Sequence, residues 1–380
     1  MDGADRASGD ASAEPMHRPG MGQHGMRLIR HHQGVPAEAR QAVVALGNFD
    51  GVHLGHQAVI TEAARLARQL RAPLSVMTFE PHPRAFFKPD LPPFRLTPFR
   101  IKMRHLQALG VDYVFTLPFD QELAAKSADA FAVEILIEGL NVAHVVVGYD
   151  FCFGRNRSGN AEVLAEFGRV HGFGVTSVGA AQDSAGVTYS STLVRDRLLA
   201  GDPLAAAQTL GRPWEIEGRV EHGDQRGRQL GFPTANVALG DYMEPRLGVY
   251  AVRAAVDDGG VPVWIDGVAN LGRRPTVGGT RVQLEVHLFD TQLDLYGKHL
   301  RVALLGFIRP EMKFAGLDQL KAQIAADSET ARQLLAAYAG PQPGQQPALS
   351  LPPRDKPDER DAYERALSPQ ARRDPRDRGR

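Results

Sequence analysis

The chain has 380 residues, enough for two hydrophobic cores, and its 43% hydrophobic and 23% charged residues are ordinary for a soluble globular protein. Its 44 basic and 44 acidic residues cancel, so no global field draws it to nucleic acid or to a membrane surface, and any anion-binding charge must be local. The single cysteine, Cys152, excludes an intramolecular disulfide framework and a cysteine-cluster metal site. No apolar stretch is long enough to span a bilayer, and the N-terminus lacks the apolar centre of a signal peptide. A reducing, cytoplasmic setting is the expectation, and oligomerisation stays open.

Residues 1–25 are rich in Gly, Ala, Asp, Ser and Met without apolar periodicity and read as a disordered leader. From 26 to 200, apolar runs alternate with helical patterns. The runs are Ala42–Leu46, Leu74–Phe79, Tyr113–Leu117, His144–Val147 and Val175–Val178, and the helical stretches lie near 56–70, 98–109, 128–138 and 160–171. That alternation predicts an α/β domain with a parallel sheet covered on both faces and ligands at the carboxyl ends of its strands. Residues 201–212 read as a linker holding one short helix, 203–210. From 213 to 338 the texture changes to short strands near 214–221, 248–256, 261–269, 281–289 and 300–307, then a helix near 317–338. Regular short strands with turn signals predict a small antiparallel β-barrel or sandwich with a closing helix. Residues 339–380, rich in Pro, Arg and Asp, read as a disordered tail, and the basic end from Arg372 to Arg380 as solvated. There is no internal repeat.

The densest chemistry lies in Gly47-Asn48-Phe49-Asp50-Gly51-Val52-His53-Leu54-Gly55-His56-Gln57. A strand enters it and a helix leaves it. Backbone N–H groups at such a helix start are unpaired, and the helix dipole favours anions there. His53 and His56 add imidazole donors at the same point. A bare His-x-x-His is more often two surface histidines; the glycines at 47, 51 and 55 and the preceding strand shift the reading to a phosphate chain.

This string resembles the His-x-Gly-His signature of nucleotidyltransferases and, more narrowly, the FMN adenylyltransferase half of the bacterial bifunctional riboflavin kinase/FAD synthetase family. The resemblance implies a Rossmann-like fold for the first half. It also implies ATP contacts at Gly47, Asn48, Phe49 and Gly55, with His53 and His56 stabilising charge during transfer. Phe79-Glu80-Pro81-His82-Pro83 is similar to the family's turn beside the flavin, which implies flavin contacts at Pro81, His82 and Pro83; read alone, two prolines simply end a strand. The loop Gly148–Gly159 is similar to a flavin-side loop and implies roles for Asp150 and Phe151. The rings at 151 and 153 either face an isoalloxazine or pack inward at strand spacing. Cys152 stands where the family often has arginine, and Tyr189 where isoleucine is usual. Ser190-Ser191-Thr192-Leu193-Val194-Arg195 opens a helix. Its hydroxyls are natural caps, and the resemblance adds a triphosphate clamp of Ser191, Thr192 and Arg195, the arginine holding the leaving pyrophosphate.

In the second half, Gly223-Asp224-Gln225-Arg226-Gly227-Arg228-Gln229-Leu230-Gly231-Phe232-Pro233-Thr234-Ala235-Asn236 lacks the Gly-Lys-Ser/Thr of a Walker loop. Its glycines fit a hairpin, or a backbone cradle for phosphates. Gly-Phe-Pro-Thr-Ala-Asn resembles riboflavin kinase, which implies ATP contacts at Gly223, Gly227, Gly231, Thr234 and Asn236. Thr234 and Asn236 are hard oxygen donors suited to Mg2+. Gly267–Thr276 resembles a family turn and implies flavin binding at Arg274. On Leu284–Asp290, strand alternation puts Glu285 and His287 on one face, and the resemblance makes Glu285 the general base for the ribityl hydroxyl. The similarity covers roughly residues 40–335. It implies an enzyme that phosphorylates riboflavin with ATP to FMN, then adenylylates FMN to FAD. The partners implied are small molecules only: riboflavin, FMN and ATP. Because the two residue sets are separate, the first half is expected to work alone. The alternatives are an adenylyltransferase for another nucleotide, which would have no reason to carry the barrel motifs, and a non-catalytic flavin-binding regulator.

Overall fold

The computed structural model describes residues 25–222, 231–276, 279–291 and 293–345. The expected leader and tail lie almost wholly outside these described residues, as do Gly223 and Gly227.

The strands of the first half are β1 (Arg27–Ile29), β2 (Val43–Leu46), β3 (Leu74–Glu80), β4 (Tyr113–Pro118) and β5 (His144–Gly148), then a small hairpin of β6 (Cys152–Phe153) and β7 (Gly159–Asn160), and β8 (Gly174–Val178). Among the described residues, six strands form a parallel sheet in the order β1-β4-β3-β2-β5-β8. All four residues of β2 are buried, as a strand covered on both faces requires. The order runs outward from β2 through β3 to β4 and then returns to β5. The switch point therefore lies beside β2, and its carboxyl end carries the glycine turn.

Helices α1 (Leu54–Leu70), α2 (Pro83–Phe87), α3 (Phe99–Ala108), α4 (Gln121–Ala125), α5 (Ala128–Ala130), α6 (Ala161–His171), α7 (Ser191–Ala200) and α8 (Pro203–Leu210) connect and flank these strands. On α1, Val59, Ile60, Ala63, Ala64 and Ala67 are buried at helical spacing against the sheet. The helix expected at 128–138 is α5 continued by a π-helical stretch, Phe131–Gly139. β1, α2, α4 and the hairpin were not expected. They are short, and a few residues carry too little periodicity to register.

The second half is a closed antiparallel barrel of β9 (Trp214–Glu221), β10 (Ala235–Ala238), β11 (Gly248–Val256), β12 (Ile265–Thr276), β13 (Gly279–Leu288) and β14 (His299–Arg309), in the order β10-β13-β12-β11-β14-β9. β10 pairs with both β13 and β9 and closes the ring, although its sequence reads as part of a glycine-rich loop. The strand expected at 261–269 is displaced: pairing starts at Ile265, opposite Ala254, and continues through Thr276. Pro262 cannot donate to a ladder, and Val261 and Val263 are exposed. The expected turn at 267–276 is thus strand. The closing helix is α9 (Leu317–Ala336), with Ala331 and Leu335 buried against Ala251, Ala303 and Leu305 of the barrel wall.

The two halves share a core. Leu96, Ile101, Val194, Leu198 and Leu210 pack in one cluster with Trp214, Ile216, Tyr250 and Val252. Trp214 Nε1–H donates to Leu96 O at 2.8 Å. Arg104 on α3 bridges Glu217 at 2.5 Å and Asp257 at 2.6 Å. Residues 201–212, expected to be a linker, bury Pro203, Ala206, Ala207, Leu210 and Arg212.

Candidate active sites

The first site forms where α1 and α7 begin. Ser191 Oγ–H donates to Asp50 O at 2.8 Å, tying the start of α7 to the glycine turn. A Cβ on Gly55 would stand 3.0 Å from Tyr189 O and 3.1 Å from the His53 ring, so only glycine permits this approach. Two positive helix ends therefore meet at one spot. Thr192 is exposed on the first turn of α7, and Ser190 caps it, its hydroxyl accepting from Leu193 N–H at 3.1 Å.

His53 Nδ1 accepts the His56 backbone N–H at 3.3 Å, so this imidazole caps α1 and leaves Nε2 as its N–H donor. The two rings stack with centroids 3.6 Å apart, and Phe49 meets His56 edge-on at 5.2 Å. Burial, with the Arg212 guanidinium beside it, pulls His53 down to about 3. Burial also holds His56 well below the usual histidine range. Both are neutral donors at physiological pH. Phe49 is 1% exposed, so only its backbone remains to meet a nucleotide. Gly47 packs on the Phe49 ring, and Asn48 turns its carbonyl inward.

Two buried charges here, Asp50 and Lys102, escaped sequence reasoning. The Asp50 carboxylate accepts from Leu96 N–H and Thr97 N–H at 3.0 Å and is ion-paired with Arg195. Arg195 Nε–H donates to Phe94 O at 2.9 Å. Lys102, 2% exposed, donates to Asn48 O at 3.2 Å and lies 4.0 Å from Glu80, which pairs with Arg95. Lys102 shares its helix face with His105 and Leu106, and a charge inside an apolar stripe was the available signal.

His82 Nδ1 accepts Arg84 N–H at 3.0 Å, and its ring meets Phe94 edge-on at 5.1 Å. Phe94 also lies beneath the guanidinium groups of Arg84 and Arg195, so the Pro81–Pro83 turn adjoins Arg195 near the start of α7. Phe153 packs inward at 7% exposure, while half-buried Phe151 stacks on it at 5.7 Å. Ring contacts continue from Phe153 through Phe131, Phe79 and Phe119 to Phe86 and Phe87 on α2. This aromatic chain joins the Asp150–Phe151 loop to the Pro81–Pro83 turn. Asp150 is exposed.

The second site lies at the barrel mouth, around a cavity of about 430 Å³. Thr234, Asn236, Val286, Leu288, Asp294 and Tyr296 are among its lining residues. His287 Nδ1 lies 2.9 Å from Pro233 O, pinning the turn before Thr234. Gly231 has φ 88°, a left-handed conformation that suits glycine. Glu285 stands opposite Asn236 on β10 and Asn270 on β12, and its Oε1 accepts Arg274 Nε–H at 2.8 Å. The expected alternation holds: Leu284, Val286 and Leu288 are buried, while Glu285 and His287 share the opposite face. Glu285 is not among the residues lining the cavity; Asn236 links it to them.

A glycine turn where two helices start on a switched parallel sheet, joined to a closed barrel with a cavity at its mouth, fits a transferase built from two units. The first half matches the FAD synthetase family over residues 35–193 and the second the riboflavin kinase family over residues 210–335. The bifunctional riboflavin kinase/FMN adenylyltransferase of Escherichia coli K12 is 47% identical over 310 residues, covering 81% of this chain and 97% of that one. The Pseudomonas fluorescens counterpart is 44% identical over 317 residues, covering 83% and 99%. A crystal structure from Streptococcus pneumoniae, described as a macrolide-efflux protein, is 32% identical with TM-score 0.72, covering 81% of this chain and 99% of that one. Among the described residues here, no helix is long and apolar enough to cross a membrane. The chain belongs to the bifunctional riboflavin kinase/FMN adenylyltransferase family, whose two activities make FMN from riboflavin and FAD from FMN.

Proposed function

We propose that adenylyl transfer occurs at the Gly47–His56 turn and riboflavin phosphorylation at the barrel mouth. In the first site an FMN phosphate oxygen attacks the α-phosphorus of ATP, the bond to the β-phosphate oxygen breaks, and pyrophosphate leaves. His53 and His56 donate N–H to the oxygens that gain charge. The α1 and α7 starts, with Ser191 and Thr192, hold the triphosphate, and Arg195 steadies the departing pyrophosphate. This chemistry rests on alignment and charge neutralisation rather than a covalent nucleophile. The flavin lies between the Pro81–Pro83 turn and the Asp150–Phe151 loop, along the aromatic chain.

In the second site ATP occupies the cavity beside Gly231, Thr234 and Asn236. Riboflavin lies across Asn236, near Arg274 and Glu285. Glu285 takes the proton from the ribityl hydroxyl as its oxygen attacks the γ-phosphorus and ADP leaves. Among the described residues no cluster of three or more His, Cys, Asp or Glu is placed to hold a metal ion. The Thr234 hydroxyl and Asn236 carbonyl are neutral oxygen donors that fit magnesium brought by the nucleotide, where it would neutralise phosphate charge. A cytoplasmic location suits an enzyme that draws on ATP, and the single thiol suits a reducing compartment.

The observation that carries this reading is the convergence of two helix starts and two neutral imidazoles on one glycine turn. Incubation with riboflavin, ATP and magnesium, resolved by chromatography, tests it. FMN should rise and then fall as FAD and pyrophosphate appear, and FMN supplied directly should be converted without a lag. Retention of yellow flavin without ATP consumption would favour a non-catalytic flavin binder.

A further inference from the structure

The FAD synthetase match ends at residue 193 and the riboflavin kinase match begins at 210, yet Arg212, inside the second region, sits under the first site. Arg212 is 3% exposed. Nη2–H donates to Gly51 O at 2.7 Å, and Nη1–H donates to Val52 O at 3.1 Å and to Leu210 O at 3.3 Å. Nε–H donates to His105 Nε2 at 3.1 Å. Gln57 Nε2–H adds bonds to Val52 O and Leu210 O, both at 2.9 Å.

The grip falls where the backbone needs it. Gly51 has φ 88° and Val52 φ 43°. A β-branched residue in the left-handed region is unfavourable and persists only when its surroundings hold it. Val52 O receives donors from both Arg212 and Gln57, and the next residue is His53. His105 serves as the acceptor for Arg212, which requires a neutral ring; burial and the adjacent guanidinium keep it so.

We propose that Arg212, supplied by the segment that enters the barrel, is a positioning residue for adenylyl transfer, fixing the Gly51–Val52 backbone so that His53 and the start of α1 face the phosphates. The proposal rests on reading the Gly47–His56 turn as the triphosphate site. Four of the five guanidinium donors are engaged by the protein, so Arg212 acts through the turn rather than on a phosphate. Lysine retains the charge but cannot span these carbonyls and His105 with one ammonium. Adenylyl transfer thereby depends on residues beyond the first family's boundary.

The test uses the full chain carrying Arg212→Lys or Arg212→Ala, with both activities measured on each preparation. Misplacing a reacting group by an ångström costs about 10²-fold. The kcat for FMN adenylylation should therefore fall about 10²-fold in Arg212→Ala and less in Arg212→Lys, with KM nearly unchanged and riboflavin phosphorylation retained. Added guanidinium ion should restore part of the kcat of Arg212→Ala, which a general loss of packing would not allow. Wild-type adenylyl transfer in both variants overturns the proposal. So does parallel loss of both activities in both variants without rescue. His53→Ala separates the underlying reading: if FAD formation survives that substitution, the site assignment fails whatever Arg212 does.

Discussion

Replacing Glu285 by glutamine should stop riboflavin phosphorylation while adenylylation of supplied FMN continues. Two effects compete, and their sizes separate them. The Glu285–Arg274 ion pair spans 2.8 Å, but the two side chains are 28% and 40% exposed. A pair this wet contributes at most about 1 kcal/mol. The glutamine carbonyl also retains an acceptor for Arg274, so the melting temperature should move by only about 2–4 °C. Loss of a general base costs about 10²–10⁴ in rate, or about 2.7–5.4 kcal/mol on the barrier. Catalysis should therefore collapse in a folded protein. The assay is riboflavin turnover by the purified variant across pH, with FMN-to-FAD conversion measured alongside. Thr234→Ala provides the contrast: it should weaken the magnesium–ATP complex and respond to added metal, which Glu285→Gln should not. Near wild-type riboflavin turnover in Glu285→Gln would remove this carboxylate from the mechanism and turn attention to an activated water or to the triphosphate as base.

His53→Ala and His56→Ala should each lower FAD formation by about 10²–10³, the usual cost of one preorganised donor, and leave FMN formation intact; equal loss of both activities would make the histidines structural. Cys152→Ser should retain most adenylyl transfer, because the half-buried thiol makes only a 3.7 Å contact to Asp150 O. A collapse of turnover at unchanged stability would point instead to a thiol-dependent step. Stability should fall as acid is added. Burial lowers His53 to about 3 and His144 to about 4, against about 6.5 in the unfolded chain. Between those limits the unfolded state binds the extra proton, so each group removes up to about 1.4 kcal/mol per pH unit as pH drops below 6.5. Melting temperatures taken from about pH 7.5 down to about 5.5 check this, and a flat profile would show that the rings do not stay buried and neutral.

Local pattern made much of this molecule legible. Four consecutive apolar residues in β2, a glycine turn and a helical repeat on α1 lie within thirty residues, so strand, turn and helix could be read directly. The alternation at 284–288 placed Glu285 correctly because side-chain direction in a strand depends only on its period. Local pattern failed where the deciding partner was distant. β10 is a strand because β13 and β9 pair with it, not because of its own residues. The pairing of Arg195 with Asp50 spans 145 positions, and the bond from Arg212 to Gly51 spans 161. The sequence by itself determined the two folds and nominated two sets of candidate site residues, since strand period, helix period and turn chemistry act over a few neighbours. Only the tertiary structure decided that Lys102, Asp50 and Arg212 are buried around one turn and that the two halves share a core, because burial and hydrogen-bond satisfaction depend on what the rest of the chain brings alongside.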